Sequence, residues 1–474
     1  MLSKERLVIL SVPFQRINRV LLGPHIINLL REQADILIVS PFAHDSDFQE
    51  EFGGESIHFL HWSVPKKFKQ PYGKLLGISE IMRMQGYWQR FRNKGMAYFL
   101  SVSRLITKPD GNDVTLPVTK QFLLRLLSII GIWSKAWKII DRLIGPSIFV
   151  VTQLERLIQD YKYVTLVQSA SWGIQDRMLA WNGRKKKWRS VLVPYTTDQL
   201  YFCGYLMSDF DAICSQGQAE RNFATSFHNL PQQRIFNLGS SWFRHIDLIK
   251  TNILEKKPVI LSKMQRVIMY AGVSTKSFYR YAQYAIIDEL LKAINNNILD
   301  NVRLVIRPVV ADEIERSEFI SRYGNYTNLQ LQWPQSSCLG LSKKFSTEVR
   351  DMQVELTEYV EQLGEVNLVV MSALTSLSFD AAYLGVPSIC VFVDKSKVMK
   401  FRHLELLLDS NKKFIGFEDC PVLHQLDELV PFIKELLNNP VKSKELASRV
   451  IKDWDYPEAD FKSILSKVVN GSPC

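Results

Sequence analysis

Short, nearly uninterrupted apolar runs alternate along the chain with longer stretches of helical periodicity. "RLVILSV" (6–12) leads through a helical stretch, "GPHIINLLREQ" (23–33), to a second apolar run, "DILIVSPF" (35–42), which predicts a β-α-β unit. "YVTLVQS" (163–169), "SVLVPY" (190–195) and "DAICSQG" (211–217) continue the series. Runs that are apolar at nearly every position, not at every second one, predict parallel strands covered on both faces. The second half repeats the scheme: "RVIMYAG" (266–272), a helix around 281–297, "VRLVIRP" (302–308), "LQLQWP" (329–334), an acidic helix at 346–364, "VNLVVM" (366–371) and "SICVFVD" (388–394). The predicted fold class is therefore α/β, with two doubly wound, Rossmann-like parallel-sheet domains.

A length of 474 residues fits this division, because single cores rarely grow past ~250–300 residues. The expected boundaries are 1–245 for the first domain, 246–265 for a linker, 266–440 for the second domain and 441–474 for terminal helices that pack back on the first. An additional segment at about 62–160 interrupts the first domain. It contains "QFLLRLLSIIGIWSKAWKIIDRLIG" (121–145), in which Trp133, Trp137, Lys135, Lys138 and Arg142 fit one amphipathic helix. Such a helix is either an interfacial membrane element or a core helix with a solvated basic face.

Charge sharpens that choice. The net charge of +11 lies in the first half: residues 1–250 carry 32 Lys and Arg against 20 Asp and Glu, whereas 251–474 carry 27 against 28. Residues 61–160 alone hold 16 basic and 6 acidic side chains. An anionic partner on the first domain is implied, either a membrane surface or a polymer. Nucleic acid is disfavoured because no recognised module accompanies the charge. "GRKKKWR" (183–189) is expected in a turn after a helix. The six cysteines (203, 214, 338, 390, 420, 474) form no CxxC pair and read as reduced thiols of a cytosolic protein. "MLSKERLVILSVPF" reads as a first strand, not a secretory leader.

The densest candidate chemistry follows "VNLVVM". The stretch "SALTSLSFDAAYLGVPSI" (372–389) sets Ser372, Thr375, Ser376 and Ser378 at a strand-to-helix turn, with Asp380 about a turn inside the helix. A helix N-terminus offers free N–H groups to a phosphate, hydroxyls add donors, and Asp380 suits ribose hydroxyls. The plain alternative is that one hydroxyl caps the helix and the others pack. Arg307, at the end of "VRLVIRP", carries the donor fork that suits a diphosphate, or else simply faces solvent. Candidate general bases at strand ends of the first domain are Asp198, in "VPYTTDQLYF", then His25, His44 and Asp45. For each, a surface or capping role is the structural alternative. Asp209-Phe210-Asp211 spells DxD, but it precedes a strand and so falls at the wrong end of the sheet. No metal site and no cofactor are expected.

"VNLVVMSALTSLSFDAAYLGVPSICVFVD" resembles the C-terminal nucleotide-binding segment of GT-B enzymes that build bacterial surface polysaccharides, especially the CDP-glycerol glycerophosphotransferases and capsule glycosyltransferases. Thr375-Ser376 match that family's serine pair, Asp380 its acidic residue and Pro387 its proline. "RIFNLGSSWFRHID" (234–247) is similar to the crossover segment, with Gly239 and Ser240 matching. "RVIMYAGVSTKS" (266–277) resembles the strand whose following turn, holding Ser274, faces the donor, and "LVIRP" (304–308) resembles the strand ending in Arg-Pro-His-Pro. The resemblance implies two domains facing a cleft, with a nucleotide-sugar donor in the second. It further implies a lipid-linked or polymeric glycan acceptor in the first, and a cytoplasmic enzyme peripheral to the membrane. Two departures bear on the reaction. Val309-Val310 stand where the glycerophosphotransferases carry His, and Ser372-Ala373-Leu374 stand where they carry Thr-Asp-Tyr. Sugar transfer is therefore the expected chemistry, with a glycerophosphotransferase-like or epimerase-like enzyme, or a non-catalytic binder of anionic membranes or polymers, as alternatives.

Overall fold

The computed structural model describes residues 5–13, 18–62, 72–90, 118–133, 136–149, 151–169, 174–195, 199–202, 204–207, 209–256, 265–272, 280–308, 313–333, 357–372, 375–391, 419–452, 454 and 461–470. They form two compact units, one of residues 1–242 and 454–474 and the other of residues 243–453. The first unit holds a seven-stranded sheet: β1 (Arg6–Ser11), β2 (Asp35–Ser40), β3 (Ile57–His61), β4 (Tyr163–Gln168), β5 (Arg189–Leu192), β6 (Ala212–Ser215) and β7 (Ile235–Asn237). Their order is β3-β2-β1-β4-β5-β6-β7, and every pairing is parallel. The second unit holds β8 (Arg266–Ala271), β9 (Val302–Arg307), β10 (Leu329–Leu331), β11 (Leu368–Met371), β12 (Ser388–Val391) and β13 (Val422–Leu423). These are ordered β10-β9-β8-β11-β12-β13, again all parallel.

Both orders run outward from the first strand and then restart on its other side, which is the doubly wound Rossmann pattern. The fold class is thus two Rossmann-like domains. Near-continuous apolar runs are what such sheets need, because helices cover both faces. All four residues of β6, β11 and β12 are buried, as are the last five of β1, β2 and β8. β3, "IHFLH", lies at the sheet edge and mixes buried and exposed positions.

Three expectations change. The stretch 246–265 is not a plain linker, since the helix Ser241–Lys256 occupies its first part; residues 257–264 lie outside the described set. The basic run 183–189 is not a free turn: Gly183–Lys186 are the last turn of the helix Ile174–Lys186, and Arg189 begins β5. Cations there complement the partial negative charge at a helix C-terminus. The single amphipathic helix expected over 121–145 is two helices, Val118–Gly131 and Ala136–Ile148. Of the terminal helices, Pro440–Ile451 belongs to the second unit and Phe461–Asn470 to the first. There the Thr165 hydroxyl donates to the Val469 carbonyl at 3.1 Å, and Arg189 Nε donates to that of Val468 at 2.6 Å.

The helix Tyr72–Arg90 anchors the inserted segment. It crosses Val118–Gly131 so closely that a Cβ on Gly86 would stand 1.9 Å from the Gly131 carbonyl carbon, which restricts the crossing to glycine. Beneath it is a buried polar group: Arg177 pairs with Asp141, with Nε to Oδ2 at 2.8 Å, and the Ser79 hydroxyl joins both. Arg83 donates to the Tyr205 carbonyl at 2.6 Å and pairs with Glu80.

His228 lies nearby, stacked on Tyr87 with ring centroids 5.4 Å apart, and its Nε2 donates to the Leu200 carbonyl at 2.6 Å. Burial, and secondarily the Arg83 charge, lower its pKa from the ordinary 6.5 to about 4. Between those values the unfolded chain binds a proton that the folded chain refuses, so stability falls as pH drops from about 6.5 and levels off below about 4. The full loss is roughly 3 kcal/mol. Urea titrations at neutral pH and near pH 4.5 are expected to show this decrement in the native chain. A His228→Gln chain, which keeps the donor without the titration, should lose less on acidification; an identical pH dependence would remove His228 as the cause.

Candidate functional site

In doubly wound sheets, ligands sit beyond the carboxyl ends of the strands where the strand order reverses. In the second unit this point lies between β8 and β11. Arg307, Ala271 and Met371 end their strands in one row, since Arg307 pairs in register with Ala271 and Ala271 with Met371. Gly272 then donates its N–H to the Arg307 carbonyl at 2.8 Å.

Two predicted residues, Arg307 and Asp380, are linked through Tyr359 at this row. Arg307 is half-buried, its guanidinium 5.0 Å from the Tyr359 ring centroid and within 3.2 Å of Gln332 Oε1. Tyr359, on helical residues 357–364, donates its hydroxyl to Asp380 Oδ2 at 2.7 Å. Asp380 lies on the helix Leu377–Tyr383. A cation, a phenol and a carboxylate are thereby linked at the sheet edge. Ser376, at the start of the same helix as Asp380, is exposed and its hydroxyl makes no capping bond; the turn is closed instead by the Ser378 hydroxyl, which donates to the Thr375 carbonyl at 2.7 Å. Thr375 is half-buried beside it.

Ser372 plays a different part. It is fully buried, and its Oγ accepts from the Tyr270 hydroxyl at 3.1 Å. Burial raises the Tyr270 phenol's pKa well above its ordinary value, so it remains a donor. Ser372 supports the turn from within. Ser274 lies outside the described residues.

In the first unit, Gly239 and Ser240 follow β7. Gly239 has φ +76°, a conformation that favours glycine, and its N–H donates to the Ser215 carbonyl at 3.2 Å. Ser240 is buried. His25 lies in the first turn of the helix Pro24–Arg31, with Nε2 2.7 Å from Ser241 Oγ. The Ser241 hydroxyl also lies within 3.2 Å of the Val20 carbonyl, which ties His25 to the preceding turn.

The other base candidates are engaged otherwise. Asp45 caps the helix Ser46–Phe52, accepting from the N–H groups of Asp47 and Phe48 at 3.0 and 3.1 Å. His44 stacks on His61 with centroids 4.1 Å apart. Burial, and secondarily this neighbour, lower the His61 pKa. Asp198 lies outside the described residues. Both DxD carboxylates hold protein partners: Asp209 pairs with Lys138 at 2.7 Å, and Asp211 accepts from the Ser190 N–H at 2.8 Å. Among the described residues, no three His, Cys, Asp or Glu side chains converge.

Two features escaped sequence reasoning. Tyr359 and Tyr270 reach partners 21 and 102 residues away, and their only sequence signal is a phenol within an otherwise acidic helix or apolar strand. At the β1/β4 strand ends, Ser11 donates to Asp176 Oδ1 at 2.6 Å and Gln168 donates to the Asp176 carbonyl at 2.8 Å, all three buried. Polar residues ending two apolar strands were the available sign.

No protein-family description and no curated protein matches the sequence. Solved structures do match. S. aureus MnaA, in a co-structure with UDP, superposes with a TM-score of 0.52 at 8% identity, covering 98% of this chain and 97% of that one. The shared feature is the fold. It extends over both Rossmann-like domains. A glycosyltransferase from Rickettsia africae matches more loosely, with a TM-score of 0.46 at 8% identity over 98% of this chain and 99% of that one. The wall teichoic acid polymerase TagF does so at 0.44 and 10%, over 99% and 89%.

Proposed function

We propose that the protein is a glycosyltransferase that moves a sugar from a nucleotide-activated donor to a lipid-linked or polymeric acceptor of a cell-surface glycan. The observation that carries this is the row Arg307, Ala271 and Met371 at the β8/β11 reversal, with Tyr359 and Asp380 joined above it. Arg307 would hold the diphosphate through two N–H groups, and its charge would favour departure of the nucleoside diphosphate. Thr375 and the exposed Ser376 hydroxyl add donors, and Asp380, oriented by Tyr359, accepts from ribose hydroxyls.

The first unit would receive the acceptor. His25 is the candidate base, its ring positioned by the 2.7 Å contact between Nε2 and Ser241 Oγ. A proton taken from an acceptor hydroxyl by this imidazole would leave the oxygen free to attack the anomeric carbon. No metal step is needed, since the arginine fork supplies the positive charge. The fold likeness to a UDP-bound protein is compatible with a nucleotide in the second unit and leaves the sugar open.

A thermal-shift screen of nucleoside diphosphates and their sugars tests the proposal. At least one is expected to raise the melting temperature, as ligands binding only the native state do. Product analysis with the stabilising sugar then decides the chemistry. Sugar appearing on a lipid-linked acceptor supports transfer, whereas an isomerised sugar nucleotide formed without any acceptor would identify an epimerase instead. No shift with any nucleotide would remove the proposal.

A further inference from the structure

The two helices of the inserted segment show apolar side chains to solvent. On Val118–Gly131 and the turn after it, Phe122, Leu126, Ile129 and Trp133 recur at helical spacing and are all exposed, Phe122 by 67% and Trp133 by 74%. On Ala136–Ile148, Ile139 and Leu143 stand one turn apart, Leu143 exposed by 74%. These positions are not an inner face awaiting a core. The inner faces are already occupied: Gly131 crosses the helix Tyr72–Arg90, and Trp137 and Asp141 are buried, Asp141 against Arg177. A surface helix ordinarily carries one apolar stripe, turned inward. Here a second one points outward, contiguous in sequence and larger than the scattered exposed leucines of ordinary surfaces.

The charges on these helices indicate what covers that face. Residues 118–148 contain five basic side chains and one acidic one, Asp141. Asp141 is withdrawn to the buried side, whereas Arg125 and Arg142 are exposed among the apolar positions. An outward face that is apolar and edged by guanidinium groups, with no exposed carboxylate of its own helices and with the neighbouring Asp209 paired to Lys138, complements an anionic bilayer. The apolar chains enter the acyl boundary, the arginines meet lipid phosphates, and an exposed indole suits the interface. Among the described residues no helix is long and apolar enough to cross a membrane, so the contact would be one of lying on the surface.

We infer that the helices Val118–Gly131 and Ala136–Ile148 form an outward-facing surface that binds anionic lipid bilayers through Phe122, Leu126, Trp133 and Leu143, with Arg125 and Arg142 selecting the negative headgroups. This deepens the proposed use of a lipid-linked acceptor and rests on that reading for its purpose. Binding to vesicles, however, requires no nucleotide.

Flotation of the full-length protein with phosphatidylcholine vesicles, with and without phosphatidylglycerol, tests it. Strong flotation is expected only with the anionic lipid. Phe122→Ser, Leu126→Ser and Leu143→Ser together should reduce the bound fraction about tenfold or more. Arg125→Glu with Arg142→Glu should abolish the preference for anionic lipid. All five positions are exposed, so circular dichroism should stay unchanged. Absence of flotation in the native chain, or equal flotation of the serine variant, overturns the proposal. So does a native dimer in lipid-free solution that the serine substitutions turn into a monomer, because the face would then belong to a second copy. Nucleotide thermal shifts on the same samples separate the two claims: vesicle binding without nucleotide binding would sink the transferase and leave the surface.

Discussion

Replacing Asp141 with alanine is expected to destabilise the first unit by about 3–5 kcal/mol, the cost of stranding a buried charge. Arg177 is only 4% exposed, and its guanidinium meets both Asp141 oxygens and the Ser79 hydroxyl. Removing the carboxylate leaves that cation in a dry interior between the helix Ile174–Lys186 and the inserted helices, with the Glu80 carboxylate 3.8 Å away as a weaker counter-ion. Urea unfolding followed by far-ultraviolet dichroism should show the loss as a lower midpoint. Replacing both partners, Asp141→Leu with Arg177→Met, should recover most of it, because two apolar side chains carry no stranded charge. A single variant as stable as the native chain would show that the pair is open to water.

The second large effect concerns the nucleotide. Arg307→Ala is expected to weaken nucleoside diphosphate binding roughly 10- to 100-fold, because charge-assisted hydrogen bonds contribute about 1.5–3 kcal/mol. Stability should change much less. Arg307 is half-buried at a strand end, and its stacking on Tyr359 contributes only about 0.5–1 kcal/mol. Arg307→Lys keeps the charge without the planar fork and should bind with intermediate affinity. Calorimetric titration measures all three; affinities within twofold of one another would detach Arg307 from the phosphates.

Much of the fold was legible because both sheets are parallel. Strands such as "VILSV" and "LVVM" are apolar at almost every position, a pattern that few other structures require. The edge strand Ile57–His61 escaped because only Ile57 and Leu60 are buried, and their spacing of three residues is one that helices also show. The short β13 offers two residues, too few for any periodicity. The 121–145 segment read as one helix because apolar residues recur without a break, and periodicity does not reveal that Trp137 turns inward while Trp133 turns outward.

The site was legible in part. Arg307, Thr375, Ser376 and Asp380 could be nominated because they follow apolar strands, where doubly wound sheets place ligands. Which of them meet depends on tertiary contacts. Asp45 looked like a strand-end base and is a helix cap, a role that the same residue type at the same place fills equally well. Ser372 looked like an available hydroxyl and is a buried acceptor for Tyr270.

The proposed nucleotide would sit at the carboxyl ends of β8, β9 and β11. Hydrogen exchange with and without a stabilising nucleoside diphosphate tests this most directly. Slowed exchange is expected in peptides covering 266–272, 302–308 and 357–384. Slowing confined to peptides of the first unit, with those three unchanged, would contradict it.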